Sequence, residues 1–243
     1  MAAIKLNNLT KQYKDHTVVN SLDFSIEEGE FFALLGENGA GKTTLISMLC
    51  CLVTPTAGDA LVLGDSIRTG ADAVKQKINI SPQETAVAPN LTIRENLELV
   101  AGIYGSSKKE AKERATEMLQ TFGLTERQKD KAKSLSGGMQ RRLSIAMGLI
   151  TNPQILFLDE PTLGLDVRSR RELWATLSKL KGKMTIVLTT HYLEEAEALA
   201  DRICILQKGS VKAIGTAEQM KNSTNTTSFE EAFLAICDSR GDI

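Results

Sequence analysis

The sequence predicts an α/β fold built around a mostly parallel sheet with helices on both sides. Residues 31–35, 155–158 and 184–189 are runs rich in apolar side chains, typical of strands that are buried on both faces. Segments with a helical period alternate with these runs, and such alternation indicates parallel pairing. Residues 1–30 instead contain short alternating segments broken by turn signals, which predicts antiparallel strands at the N-terminus.

The helical segments follow from apolar side chains that recur every three or four residues. They are residues 43–49, 108–122, 139–150, 168–181 and 192–200. Residues of about 88–150 are mainly helical, so we expect them to form an insertion into the sheet. We expect one main domain over residues 1–220. Residues 221–243 then form a polar linker, Asn222–Thr227, and a short helix with Phe229, Phe233 and Ile236 on one face.

The composition narrows the class of protein. The chain has 243 residues, a hydrophobic content of 42% and a formal net charge of −1, which argues against a strongly basic face for nucleic acid. The apolar runs are too short to cross a bilayer, and the N-terminus lacks the layout of a signal peptide. The cysteines show no zinc-ligand spacing and are expected to be small buried residues. We therefore expect a cytoplasmic protein.

A glycine-rich turn follows the first buried run and matches the phosphate-loop pattern G-x-x-x-x-G-K-[ST]. Glycines allow successive backbone N–H groups to turn inward around a phosphate, and the following helix directs its positive end there. Lys42 supplies a mobile charge for the β- and γ-phosphates, and the Thr43 hydroxyl suits Mg²⁺. The predicted nucleotide-binding residues of this turn are Gly36, Asn38, Gly39, Ala40, Gly41, Lys42, Thr43 and Thr44.

Two acids end the second buried run. Asp159 and Glu160 lie where a parallel sheet binds ligands, beyond the carboxyl end of a strand. Asp159 is a candidate Mg²⁺ ligand, and Glu160 is a candidate base for the attacking water. An Asp-Glu pair alone would usually be a solvated strand end, but its position after an apolar run favours a function. His191 follows the third run and is a candidate hydrogen-bond donor to the γ-phosphate, although a lone histidine is more often structural.

A second helix start also has the features of a phosphate site. Ser136 can cap the helix that follows it, and Gly137 and Gly138 expose N–H groups at its positive end. Two interpretations remain open on these residues alone. The segment is either a well-capped helix or a second half-site that closes on a phosphate bound by another copy.

These motifs together resemble the nucleotide-binding domain of the ATP-binding cassette family, in the family's order and over essentially the whole chain. The matching segments are residues 36–44 as Walker A, Gln83 as the Q-loop, residues 135–140 as the signature motif, residues 155–160 as Walker B, residues 164–166 as the D-loop and His191 as the switch histidine.

The resemblance implies a P-loop NTPase with a RecA-like core, an N-terminal antiparallel β subdomain and an inserted α-helical subdomain. It implies Mg²⁺-ATP as the ligand and a head-to-tail dimer in which the signature motif contacts the partner's ATP. It places Gln83 among the catalytic and metal-binding residues and Asp166 among those that bind nucleotide. Tyr13 is implied as the platform for adenine, with His16 as an alternative.

The sequence around the motifs resembles the exporter branch of the family, whose members serve drug, antibiotic, polysaccharide, sodium or lipid efflux. We therefore expect an integral membrane permease subunit and a second ATP-binding subunit, a second copy of this chain, as partners, at the inner face of the cell membrane. Two departures occur, Cys51 in place of the usual Gly and a permuted polar order in residues 139–142. The alternatives are a soluble non-transport ATPase of this type and a module that binds ATP without hydrolysing it.

Overall fold

The computed structural model describes residues 1–238, which divide into two compact units. The first unit combines Met1–Lys77 with the chain from Lys181 onward, and the second is Ile78–Leu180. In chain order the strands are β1 (Ala2–Tyr13), β2 (His16–Leu22), β3 (Ser25–Glu27), β4 (Phe31–Leu35), β5 (Ala57–Val62), β6 (Asp65–Ser66), β7 (Ile78–Ser81), β8 (Ile155–Asp159), β9 (Thr185–Thr190), β10 (Arg202–Gln207) and β11 (Ser210–Gly215).

Helices occupy the segments in which a helical period was expected, and two further helices, at residues 71–77 and 217–224, were not expected. The helices are α1 (Lys42–Leu49), α2 (Ala71–Lys77), α3 (Ile93–Ile103), α4 (Lys108–Thr121), α5 (Gly137–Leu149), α6 (Val167–Ser178), α7 (Leu193–Leu199), α8 (Ala217–Thr224) and α9 (Phe229–Asp238), with short 3₁₀ turns at Thr125–Arg127 and Ala132–Ser134. None of the helices within residues 1–238 is long and apolar enough to cross a membrane.

The N-terminal strands form the expected antiparallel sheet. Its order is β2-β1-β5-β6, and β3 pairs with β1 outside this path. Ile4 and Leu6 of β1 are fully buried, as is Leu9, which follows three residues later at an irregularity in the pairing with β5. The β1–β2 hairpin ends where Tyr13 pairs with His16.

The first unit also contains parallel strands in the order β11-β10-β4-β9, with only the β10–β11 pair antiparallel. Every residue of β4 and β9 is buried, as expected for strands covered on both faces. The register pairs Leu35 with Thr190, so the two strands end together. The glycine loop (residues 36–44) and His191 therefore leave the same edge of this sheet.

In the second unit, β7 and β8 pair in parallel, and Ser81, the last residue of β7, is aligned with Leu158, one residue before the end of β8. Its helices begin at strong local signals. Thr92 and Ser107 each form a capping box with the glutamate three residues later, at the starts of α3 and α4. The expected helical segment at residues 88–150 is thus accounted for by α3, α4 and α5.

The C-terminal segment corrects one expectation. Residues 222–224, assigned from their polarity to a linker, form the last turn of α8, because Thr216 and Gln219 make a capping box that starts this helix. Asn225 ends it in a left-handed conformation. The expected closing helix is α9, on which Phe229 is buried and Phe233 and Ile236 are half-buried. Residues 239–243 of the segment lie outside the described residues.

Cys51 occupies a position that glycine usually takes. The N–H of Leu52 bonds the carbonyl of Ser47 (2.8 Å) and that of Cys51 bonds Met48 (2.9 Å), which is the Schellman pattern at the end of α1. The residue after the cap must be left-handed in this pattern, and Cys51 has a φ of 55°. At this position, where the family usually has glycine, the chain therefore has a strained cysteine at the end of a helix.

Candidate nucleotide-binding site

The glycine loop passes close to neighbouring backbone at two of its glycines. A Cβ on Gly36 would lie 2.2 Å from the carbonyl oxygen of Leu206, and one on Gly41 would lie 2.5 Å from that of Val18. Gly41 also has a φ of 102°, which side-chain-bearing residues rarely adopt. Packing therefore requires glycine at both positions, and at Gly41 the backbone conformation requires it as well.

Lys42 opens α1 and is buried, with 5% of its surface exposed. Its ammonium donates to the carbonyl oxygens of Gly36 (2.7 Å) and Glu37 (3.1 Å). These bonds hold the side chain across the loop that it is expected to serve. Asn38, Gly39 and Thr43 are exposed.

His191 lies beside the start of the glycine loop. The N–H of Gly36 donates to the carbonyl of Thr190 (3.3 Å), the residue immediately before the histidine. The imidazole packs against the ring of Tyr192 with the centroids 4.1 Å apart. The first unit therefore brings together two of the sequence-predicted elements, the glycine loop and His191.

The two adenine-platform candidates share one hairpin end. Tyr13 and His16 are paired across β1 and β2, and both are exposed. Lys11 lies over the Tyr13 ring at 4.8 Å. Further along β2, Val18 reaches the glycine loop at Gly41. The hairpin is thus connected to the loop through packed backbone, and the choice between the two rings stays a prediction.

The acid pair lies at the end of β8, in the second unit. Asp159 and Glu160 are both buried, with 3% and 8% of their surface exposed. Glu160 has a φ of 47°, so the chain turns sharply at the candidate base. Non-glycine residues in this region carry strain and are concentrated at functional sites. A solvated strand end would show neither the burial nor the strain.

The signature segment begins α5 as expected. The Ser136 hydroxyl accepts a hydrogen bond from the N–H of Met139 (3.4 Å), and Ser136 and Gly137 are exposed. Gly138 faces α6, where an added Cβ would lie 3.0 Å from the Ser169 hydroxyl. The cap is therefore confirmed as a local structure, and its open end can receive a phosphate.

Asp166 and Gln83 have local roles that the sequence did not indicate. Asp166 caps α6 by accepting bonds from the N–H (2.9 Å) and hydroxyl (2.7 Å) of Ser169. The backbone bond is the main reason why the pKa of Asp166 lies below its usual range. The Gln83 side chain is exposed, and its backbone carbonyl is fixed by Arg141 (3.2 Å).

Arg141 is the residue of this site that sequence reasoning missed. The sequence places it only in the helix at residues 139–150 and in the permuted polar run, yet it is buried, with 4% of its surface exposed. Its guanidinium bonds backbone carbonyls at Pro82, Gln83, Asp159 and Pro161. Nothing in the sequence separates it from the adjacent Arg142.

The predicted metal ligands offer suitable chemistry. Mg²⁺ prefers oxygen ligands and usually retains water and substrate phosphates as further ligands. Thr43 offers an exposed hydroxyl in the first unit, and Asp159 offers a carboxylate at a strand end in the second. Each of these side chains is therefore of a type that suits the ion, and the binding of Mg²⁺ stays a proposal.

Comparison with known proteins identifies the family. The ABC transporter family model matches residues 19–163. The linearmycin resistance ATP-binding protein LnrL of Bacillus subtilis is 46% identical over 214 residues, covering 88% of this chain and 69% of that protein. The Nod factor export ATP-binding protein I of Burkholderia orbicola is 40% identical over 225 residues, covering 92% and 74%.

Comparison with solved structures supports the same family. An ATP-binding subunit of an ABC transporter superimposes with a TM-score of 0.86 at 29% identity, covering 97% of this chain and 100% of that one. A dimeric ATP-binding cassette in a post-hydrolysis state with ADP and phosphate gives 0.80 at 31% identity, covering 88% and 98%. The expected P-loop NTPase fold class is confirmed. The chain belongs to the ABC transporter family, as one of its ATP-binding, ATP-hydrolysing cassettes.

Proposed function

We propose that this chain energises export through a separate membrane subunit by binding and hydrolysing Mg²⁺-ATP. The observation that carries the proposal is that one chain holds a complete glycine loop with a buried lysine and a buried acid pair at a strand end. The relatives reported above are named for resistance and export, which supports an exporter over the soluble non-transport alternative.

Each predicted residue has a role in this proposal. The backbone of residues 36–44 and Lys42 bind the phosphates, and Tyr13 or His16 stacks on adenine. Thr43, Gln83 and Asp159 supply oxygen ligands for Mg²⁺, which neutralises phosphate charge when bound. Glu160 orients and deprotonates the attacking water, and His191 donates a hydrogen bond to the γ-phosphate.

Dimerisation completes the site in this proposal. The start of α5 at Ser136 and Gly137 is exposed and closes on the ATP held by a second copy. The N–H groups and the helix dipole at this start favour anions. Asp166 lies in the D-loop of the same interface. A dimeric cassette among the similar structures supports this arrangement. Both sets of half-site residues are present in this chain, so two copies suffice.

An apolar ridge on α3 supports a membrane subunit as the other partner. Leu99, Ile103 and Tyr104 expose 48%, 71% and 54% of their surface. Leu99 and Ile103 are four residues apart and share one helix face. Exposed apolar clusters of this kind mark protein contacts. We infer that a segment of the permease docks here, at the cytoplasmic face of the membrane.

The assignment of Glu160 is tested by Glu160→Gln. This variant keeps the size and shape of the side chain, but its amide replaces one acceptor oxygen with an NH2 group and cannot act as a base. We expect ATP turnover to be abolished while ATP still binds, so that gel filtration with Mg²⁺-ATP shows a doubled mass. If Glu160→Gln hydrolyses ATP at the parent rate, the base has been assigned to the wrong residue.

A further inference from the structure

The guanidinium of Arg141 connects two segments of the second unit. From α5, its Nε donates to the carbonyl oxygen of Pro161 (2.9 Å), and one terminal nitrogen donates to that of Asp159 (2.6 Å). The other terminal nitrogen donates to Gln83 (3.2 Å) and Pro82. One planar fork therefore holds the end of β8 and the segment after β7 together.

Glu160 lies between the two carbonyls that Arg141 holds on the β8 side. The left-handed conformation is unfavourable for a residue with a side chain and persists only where the surroundings impose it. Glu160 has a φ of 47°, and Arg141 bonds the carbonyl oxygens of the residues immediately before and after it, Asp159 and Pro161. The arginine is thus placed to impose the turn that directs the candidate base.

The helix that carries Arg141 is itself fixed. The hydroxyls of Ser144 on α5 and Ser81 at the end of β7 are 3.0 Å apart and buried. Arg141 is one helical turn before Ser144, so this contact helps to fix the helix backbone from which the guanidinium extends. Buried charge-assisted bonds of this kind are also stronger than neutral ones.

We propose that Arg141 is a positioning residue for ATP hydrolysis, which sets the backbone of Glu160 and of Gln83 from one point on the signature helix α5. The proposal rests on the assignment of Glu160 as the base. Arg141 contacts backbone of these residues, so it acts through their placement. A residue that served stability alone would affect unfolding without selectively slowing the chemical step.

The test compares Arg141→Lys and Arg141→Gln in the full chain. A lysine keeps the charge but offers no planar fork, and a glutamine offers two donors at shorter reach. We expect kcat for ATP to fall about 10-fold in Arg141→Lys and about 100-fold in Arg141→Gln, because small misplacements of a reacting group cost rate on this order. KM for Mg²⁺-ATP should stay within about threefold, because the glycine loop is unchanged.

Arg142→Gln is the matched control. Arg142 is the next residue on α5, and its guanidinium bonds the carboxylate of Glu172 on α6 (2.5 Å) instead of backbone carbonyls near the base. We expect this variant to keep kcat within about twofold of the parent, even where its thermal midpoint falls as much as that of the Arg141 variants.

Glu160→Gln measured in parallel separates the two proposals. A parent-like rate in Glu160→Gln would refute the base assignment. An inactive Glu160→Gln with parent-like kcat in both Arg141 variants would refute the positioning role alone. A loss of kcat in Arg142→Gln equal to that in Arg141→Gln would also refute it, since a general loss of packing would then explain the effect. If Arg141→Gln does not fold, Arg141→Lys decides by the same criteria.

Discussion

At the scale of single residues, ATP affinity depends on a lysine that is already held in place. The Lys42 ammonium bonds two loop carbonyls, and ATP phosphates would exchange for or add to these partners. A hydrogen bond to a charged group contributes about 1.5–3 kcal/mol. We expect Lys42→Ala to weaken Mg²⁺-ATP binding about 10- to 100-fold, measured by calorimetric titration.

Lys75→Ala is the control for this prediction. Lys75 is exposed on α2 in the same unit, and its removal changes the net charge by the same amount. We expect its ATP affinity to match that of the parent. Equal losses in the two variants would mean that total charge, and no specific phosphate contact, determines affinity.

The residues that sequence reasoning predicted differ from those it missed in a physical way. Lys42 and the cap at Ser136 follow from local pattern, because their partners lie within a few residues along the chain. Arg141 bonds carbonyls 18 to 59 residues away. Such carbonyls carry no sequence signal, since every residue has one. The fold must be known before that contact can be found.

At the scale of secondary-structure elements, the end of α1 is strained. Cys51 adopts the left-handed conformation that Gly123 adopts at the end of α4, with the same Schellman hydrogen bonds. A side chain in that conformation costs about 1–2 kcal/mol. Cys51→Gly relieves this strain but also loses the packing of the half-buried thiol. We expect the net result to be a rise of about 0.5–1 kcal/mol in the free energy of unfolding. Urea unfolding with an unchanged m-value checks this.

Cys51→Ala isolates the backbone contribution. Alanine removes the thiol as glycine does but keeps the Cβ that the left-handed conformation disfavours. We expect it to be about 1 kcal/mol less stable than Cys51→Gly. Equal stability of the two variants would show that the helix end carries no strain.

The start of α5 separates stability from function. Ser136→Ala removes a helix cap and should cost about 1 kcal/mol of stability. Ser107→Ala removes the corresponding cap of α4 and should cost a similar amount. Only Ser136→Ala is expected to lower ATPase activity and to weaken the ATP-dependent dimer of the Glu160→Gln background. If both caps affect activity equally, Ser136 is only structural.

The presence of most of the strands and helices was predictable from the sequence, but the residues at which they begin and end were less so. The buried strands β4, β8 and β9 follow from short apolar runs, which are typical of strands covered on both faces. The extent of α8 does not follow from the sequence, because the last residues of the helix are polar and favour a linker. There the capping box at the helix start outweighs composition, and the helix continues to Asn225.

At the scale of the whole molecule, export requires that ATP-driven closure reaches a membrane partner. The α3 ridge is the described surface best suited to this, because Leu99 and Ile103 expose apolar area on one helix face. Exposed positions tolerate polar residues with stability changes of about 0.5 kcal/mol or less. A charge at Ile103 should therefore disturb docking and leave the cassette folded.

We expect Ile103→Glu to keep the basal ATPase rate of the isolated chain within about twofold, and to lose co-purification with the membrane subunit from detergent extracts. Burying an unpaired carboxylate against an apolar partner would cost several kcal/mol, enough to dissociate the complex. Leu234→Glu is the control, since Leu234 exposes 53% of its surface on α9. It should co-purify like the parent. If Ile103→Glu binds the membrane subunit as the parent does, the permease docks on another surface, and the ridge has no part in coupling hydrolysis to export.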